Sequence, residues 1–133
     1  MPKTVLIADD SSNVRRQVKT LLAQRTDVTV CGEAIDGLEV VEKAKALKPD
    51  LVLLDLAMPM MNGAEAASVL KKSMPEITII MFTMYGEDIG RYLTSVVGVD
   101  SVLSKPDGMT ALANAVDTVL AKSSERHLQK KLD

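Results

Sequence analysis

The sequence predicts a single α/β domain built on a doubly wound parallel sheet. Short apolar runs rich in Val, Ile and Leu recur along the chain, and segments of helical length separate them. Runs of this kind are typical of parallel strands that are buried on both faces. The order of strand then helix, repeated five times, requires right-handed crossovers and places helices on both faces of the sheet.

Five strands are predicted, and each is followed by a helix. In chain order the strands are residues 4–8, 28–31, 51–54, 77–82 and 102–104. The first and last helices have apolar residues at i, i+4, i+7 and i+8, which are Val14, Val18, Leu21 and Leu22 and then Leu112, Val116, Val119 and Leu120. This spacing predicts one apolar face on each helix, packed against the sheet.

Short polar segments after the strands predict where the helices begin. Ser11 or Ser12 can cap the first helix and Asp107 the last, because their side-chain oxygens accept hydrogen bonds from the free N–H groups of a first helical turn. The remaining strand-to-helix turns are predicted at Asp36-Gly37, Asn62-Gly63 and Tyr85-Gly86.

Length and composition limit the function classes. The chain has 133 residues, 47% of them hydrophobic and 26% charged, which fits one globular domain. A net charge of −2 argues against binding of nucleic acid by this chain alone. No apolar stretch approaches the roughly 20 residues of a membrane span, so no membrane partner is expected. The single Cys31 cannot form an internal disulfide; we expect a buried thiol and a cytoplasmic location.

Polar residues of different chemical types end four of the predicted strands. They are the acid pair Asp9-Asp10, then Asp55, Thr83 and Lys105. Taken singly, an acid pair is often a turn former, a threonine is usually a satisfied hydroxyl, and a lysine is usually a solvated charge. Ligands of open parallel sheets bind outside the carboxyl ends of the strands, so these groups should converge there. Three carboxylates, a hydroxyl and an ammonium suit a divalent cation and a phosphoryl group.

With these residues the sequence resembles the receiver domains of bacterial two-component response regulators. The resemblance covers roughly residues 4 to 120 and rests on specific motifs, namely Asp9-Asp10, Asp55 with Met58-Pro59-Met60-Met61-Asn62-Gly63, Thr83, and Lys105-Pro106. It implies a flavodoxin-like fold with strand order 2-1-3-4-5. The segments 30–34 and 38–41 resemble the subgroup of receivers that usually carry a helix-turn-helix output domain. The implied boundaries are a receiver domain over residues 1–121 and, over 122–133, a polar tail or an extension of the last helix.

The resemblance also implies a role for each site residue. Asp55 is then the phosphoacceptor, Thr83 the switch hydroxyl and Lys105 the ammonium that contacts the phosphoryl group. Mg²⁺ is then held by Asp9, Asp10, Asp55 and the backbone carbonyl of Ala57. The implied phosphoryl donor is a sensor histidine kinase or a histidine phosphotransfer protein. The implied output is a downstream protein, or a second copy of the chain, on the face of helix four, strand five and helix five.

Two positions near the site depart from the family pattern, and two others are variable within the family. Val102 lies where many receivers have an aromatic side chain that moves inward with the switch hydroxyl. Met84 follows Thr83 where a small residue is typical, and it either crowds the phosphoryl pocket or packs against helix four. Tyr85, together with Ala57, offers no amide or carboxylate to orient a hydrolytic water, so we expect slow self-dephosphorylation.

Two other functions compete with a stand-alone receiver. The chain could be the N-terminal receiver fragment of a DNA-binding transcriptional regulator, and the end of the reading frame would decide between these two. A hydrolase of the aspartyl-phosphate type also uses a carboxylate nucleophile, Mg²⁺, a hydroxyl and a lysine. It normally needs a second acid two residues after the nucleophile, where this chain has Ala57. We therefore expect phosphorylation of the chain itself and no turnover of external substrates.

Overall fold

The computed structural model describes the backbone of residues 2–83, 87–104 and 108–132 and the side chains of residues 2–83, 89–104 and 110–122. Its elements alternate along the chain. They are β1 (Lys3–Ala8), α1 (Ser12–Ala23), β2 (Val28–Ala34), α2 (Gly37–Leu47), β3 (Leu51–Asp55), α3 (Gly63–Ser73), β4 (Thr78–Thr83), α4 (Glu87–Tyr92), a π-helical turn (Leu93–Val97), β5 (Ser101–Ser104) and α5 (Gly108–Leu132).

The five strands form one parallel sheet in the order β2-β1-β3-β4-β5. The predicted fold class and strand order are therefore confirmed. β3 lies at the centre and all five of its residues are buried. This burial on both faces is the reason that its sequence reads as a continuous apolar run rather than as an alternating one.

Each face of the sheet has its own apolar core. On one face, alternate strand residues such as Val5 and Ile7 pack with Val18 and Leu22 of α1 and with the apolar face of α5. On the opposite face, the intervening strand residues pack with α2, α3 and the π-helical turn. The apolar positions predicted for the first and last helices all lie in the first of these cores, so both amphipathic predictions are confirmed.

Side-chain caps fix the starts of three helices. Ser11 caps α1 by accepting a hydrogen bond from the Val14 N–H, at 3.3 Å. Asp36 and Asn62 cap α2 and α3 in the same way, at 2.8 and 2.9 Å. These residues were identified from the sequence as helix caps or turn formers. The predicted cap Asp107 and the predicted turn Tyr85-Gly86 lie outside the described residues.

β2 differs from the sequence-based prediction, and α4 has a form for which the sequence analysis made no prediction. β2 continues to Ala34, three residues further than predicted, because Cys31 forms a bulge that shifts the pairing with β1 by one residue and lets Gly32 to Ala34 keep pairing. α4 has only six residues before the π-helical turn, which Gly98 closes with a positive φ of 90°. In addition, α5 runs to Leu132, while the domain boundary at residue 121 stays a prediction. None of the helices in the described ranges combines the length and apolar character of a bilayer-crossing helix.

Candidate functional site

The strand register brings three of the predicted site residues to one edge of the sheet. Ala8 at the end of β1 pairs with Leu54, and the next residues on the two strands are Asp9 and Asp55. Asp55 pairs with Phe82 of β4, and Thr83 follows as the last residue of that strand. Asp9, Asp55 and Thr83 therefore lie at the carboxyl ends of neighbouring parallel strands, where open α/β sheets bind their ligands.

Three carboxylates form an acidic pocket at this edge. One oxygen each from Asp9, Asp10 and Asp55 lies within 4.8 Å of the other two. Asp9 and Asp55 are only 2% and 3% exposed, whereas Asp10 is exposed. Carboxylates gathered this closely repel one another unless a cation lies among them. An all-oxygen donor set of this kind fits a hard divalent cation such as Mg²⁺ better than a soft metal.

Hydrogen bonds hold Asp9 at its carboxylate, at its backbone N–H and at its backbone carbonyl. Its Oδ1 accepts from the Ser11 N–H at 2.8 Å. Its N–H donates to the carbonyl of Ala34 at the end of β2, at 3.1 Å. Its carbonyl accepts from Nη1 of Arg15 on α1, at 2.7 Å. The first acid of the pair is therefore fixed by β2 and α1 as well as by its own strand.

The loop after Asp55 folds tightly against the strand end. The Leu56 N–H donates to the Phe82 carbonyl at 2.9 Å, and the Gly63 N–H donates to the Leu56 carbonyl at 2.7 Å. α3 begins so close to the strand that a Cβ at Gly63 would lie 2.8 Å from Leu56 Cα and nearer still to the Asp55 carbonyl oxygen. Glycine is required at residue 63 because the backbone of the phosphoacceptor candidate occupies the space. Ala57, the predicted carbonyl ligand, lies exposed in this loop.

The other side of the site is only partly described. Thr83 is 2% exposed and pairs with Ser104 of β5. Lys105 comes directly after Ser104 but lies outside the described residues, as do Met84 and Tyr85. Val102 is partly buried against the core on the α4 side of the sheet, and a Cβ at Gly90 would be 3.7 Å from its Cγ1. In this structure Val102 thus packs against the core on the side of β5 that faces Gly90 of α4.

An ion-pair cluster beside the acidic pocket was missed by the sequence analysis. Glu33 on β2 accepts from Nε of Arg15 at 3.0 Å and from Nζ of Lys19 at 2.9 Å. The hydrogen bond from Lys19, followed by that from Arg15, holds the pKa of Glu33 below its usual range. Lys43 of α2 donates to the Glu33 backbone carbonyl. The i, i+4 spacing of Arg15 and Lys19 was the available signal, but their acidic partner could be identified only from the pairing of β2 with β1.

Comparison with known proteins points to one family. The family model described as "Response regulator receiver domain" matches residues 5–117. Among curated proteins, the response regulator protein VraR of Staphylococcus saprophyticus is 40% identical over 116 residues, which cover 87% of this chain and 56% of VraR. The chain spans about half the length of the curated relatives it matches.

Solved structures agree with this comparison. The response regulator domain of Thermotoga maritima CheB is 32% identical with a TM-score of 0.76, and the match covers 94% of this chain and 96% of that one. A CheX–CheY complex with BeF₃ and Mg²⁺ from Borrelia burgdorferi matches at 26% identity and a TM-score of 0.83, covering 90% of each chain.

Proposed function

Because this chain belongs to the family of response regulator receiver domains, we propose that it accepts a phosphoryl group on Asp55 and passes the signal on through a protein surface. The chain is the receiver of a two-component response regulator, a signal-transduction module. The observation that carries the proposal is the position of Asp55. This carboxylate is buried at the end of the central strand, within 4.8 Å of two further carboxylates.

The acidic pocket is the proposed Mg²⁺ site. Asp9, Asp10 and Asp55 would each supply a carboxylate oxygen, and Ala57 its backbone carbonyl. When bound, Mg²⁺ neutralises negative charge that builds up on oxygen atoms during phosphoryl transfer. The proposal is supported by the oxygen donor set and by the CheX–CheY complex, whose title names both Mg²⁺ and BeF₃. The proposal is also supported by the hydrogen bonds that hold the carboxylate and the backbone carbonyl of Asp9.

Thr83 and Lys105 complete the proposed site. Thr83 would donate its hydroxyl to the phosphoryl group of Asp55, and Lys105 would contact a phosphoryl oxygen as a point charge. Thr83 is buried at the end of β4, next to the strand that ends at Asp55. The proposed output surface is the face of α4, β5 and α5, because β4 and β5 lead from the site into α4 and α5.

The proposed donors are a sensor histidine kinase or a histidine phosphotransfer protein, and the proposed receiver of the signal is a downstream protein or a second copy of the chain. The proposed location is the cytoplasm, since the single Cys31 is a free thiol.

We propose that the chemistry is limited to phosphorylation of Asp55 and slow hydrolysis of the resulting acyl phosphate. Ala57 supports this, because the aspartyl-phosphate hydrolases normally need an acid at this position.

Phosphorylation by a small donor tests the proposal. Incubation with acetyl phosphate and Mg²⁺ should add the mass of one phosphoryl group, and EDTA should suppress the gain. Asp55→Asn should abolish it, and Asp10→Ala should weaken both cation binding and phosphorylation. Asp36→Asn is the matched control, because it makes the same change of carboxylate to amide at a helix cap where asparagine serves equally well. A full mass gain in Asp55→Asn would move the acceptor elsewhere.

A second candidate is the receiver portion of a DNA-binding regulator. It is favoured by the share of VraR that this chain spans, 56%. Mapping the reading frame beyond residue 133 tests it. A following helix-turn-helix segment would support this candidate, and a stop codon directly after Asp133 would contradict it.

A further inference from the structure

We propose that Arg15 is a positioning residue for the divalent-cation site, and that it acts by fixing the peptide that joins Asp9 to Asp10. The inference rests on the proposed function, because it takes these two acids as cation ligands. It concerns a residue of α1 that has no contact with the cation or the phosphoryl group in the proposed chemistry.

The contacts of Arg15 join three elements at one point. Its Nη1 donates to the Asp9 carbonyl at 2.7 Å, while its Nε donates to Glu33 on β2 at 3.0 Å. The guanidinium side chain is only 16% exposed, unlike an ordinary surface arginine. Glu33 is itself held by Lys19 and, through its backbone carbonyl, by Lys43. Arg15 is thus clamped between a fixed carboxylate and the backbone of the first acid.

Through this hydrogen bond Arg15 orients the peptide group that joins residues 9 and 10. A peptide group is planar, so a hydrogen bond to the Asp9 carbonyl also fixes the direction of the Asp10 nitrogen. Asp10 is exposed, so packing does little to hold its side chain. The backbone direction at Asp10 therefore decides how readily its carboxylate stays in the pocket beside Asp9 and Asp55. Removing a group that orients a metal ligand in this way typically lowers metal affinity by roughly 10- to 100-fold.

The charge of Arg15 and its positioning role predict opposite changes in Mg²⁺ affinity when Arg15 is removed. A guanidinium near a divalent cation repels it, so a variant without the positive charge should bind Mg²⁺ more tightly if electrostatics decided the outcome. If Arg15 acts by positioning, the same variant binds Mg²⁺ more weakly. The sign of the change in affinity therefore separates the two accounts.

The experiment is a Mg²⁺ titration of the unphosphorylated protein, followed by the amide NMR shifts of Asp10 and Ser11. Arg15→Met should weaken Mg²⁺ binding about tenfold. Arg16→Met is the charge control, because it removes the same charge from the exposed neighbouring residue. Lys19→Met is the second control, because it removes a partner of Glu33 that does not touch Asp9. Both controls should stay within about twofold of the wild type.

Each outcome decides the proposal. Unchanged or tighter binding in Arg15→Met overturns it, and so does an equal loss in Lys19→Met, which would assign the effect to the loss of a partner of Glu33 and not to the contact with the Asp9 carbonyl. If Arg15→Met fails to fold, Arg15→Lys replaces it. A lysine keeps the charge but cannot reach both partners in the same geometry, so it should lose part of the affinity, and wild-type affinity in this variant overturns the proposal. A wild type with no saturable Mg²⁺ shifts refutes the proposed function itself, and the inference with it.

Discussion

Replacement of Gly63 by alanine tests whether the close approach of α3 to the end of β3 positions Asp55, the proposed phosphoacceptor. A Cβ at this residue would lie 2.8 Å from Leu56 Cα and 3.0 Å from the Asp55 carbonyl carbon. Unstrained carbon atoms pack at about 3.5 Å or more, so α3 and the strand end must separate by at least roughly 0.7 Å, and by more to clear the Asp55 carbonyl oxygen, which is nearer still. The obstructing atoms are backbone, which cannot rotate away as the tip of a side chain can.

The expected change in the free energy of unfolding is the sum of two opposing contributions. Overpacking against an inflexible neighbour costs about 3 kcal/mol, near the top of the usual range. The better helix propensity of alanine stabilises the folded state by up to about 1 kcal/mol. The net loss of about 2 kcal/mol corresponds to a fall in Tm of roughly 8 °C for a domain of this size. Displacement of the Asp55 backbone should also slow phosphorylation by acetyl phosphate about tenfold or more.

Thermal unfolding followed by circular dichroism measures the first effect, and the rate of mass gain with acetyl phosphate measures the second. Gly90→Ala is the matched control, since its Cβ would meet Val102 Cγ1 at an ordinary 3.7 Å within α4. That variant should melt at or slightly above the wild-type temperature and be phosphorylated at the wild-type rate. If Gly63→Ala melts and reacts as the control does, the close approach does not position Asp55 and the reasoning fails.

Three further predictions concern stability and lifetime. Asp100→Ala should lower the free energy of unfolding by about 2 to 3 kcal/mol, because it removes the carboxylate that pairs with Lys71, whose side chain is only 16% exposed. Asp117→Ala should lower it by less than about 1 kcal/mol, because this aspartate, which pairs with Arg25, is 63% exposed. Urea titrations of the two variants and the wild type measure both losses. The pKa of Glu33 is lowered by folding, so its stabilising effect is present above its ordinary pKa of 4.5 and lost as the pH falls through the folded value. The difference in Tm between wild type and Glu33→Gln should therefore shrink on acidification, and a constant difference would refute this. Ala57→Asn with Tyr85→Glu should shorten the life of the phosphorylated form about tenfold or more, read by intact mass after acetyl phosphate is removed; an unchanged decay would show that these side chains do not control water access.

The strand positions and the acidic residues of the site could be predicted from the sequence because both depend on local patterns. A buried parallel strand must be apolar along its whole length, so β3 and β4 are visible as runs that end at Asp55 and Thr83. The end of β2 could not be predicted in this way. Gly32 and Glu33 are poor strand residues by composition, and they stay in the sheet because the bulge at Cys31 keeps them paired with β1.

The sequence by itself determined the fold class, the ends of β3 and β4 and the residue types of the acidic pocket, because hydrophobic period and the chemistry of each side chain are properties of short segments. Only the tertiary structure decided which groups hold that pocket in place. Arg15 and Glu33 are 18 residues apart and meet because α1 packs beside β2. Gly63 must be glycine because α3 starts against the backbone of Asp55. Contacts of this kind depend on how distant segments are brought together by packing, and no local pattern encodes them.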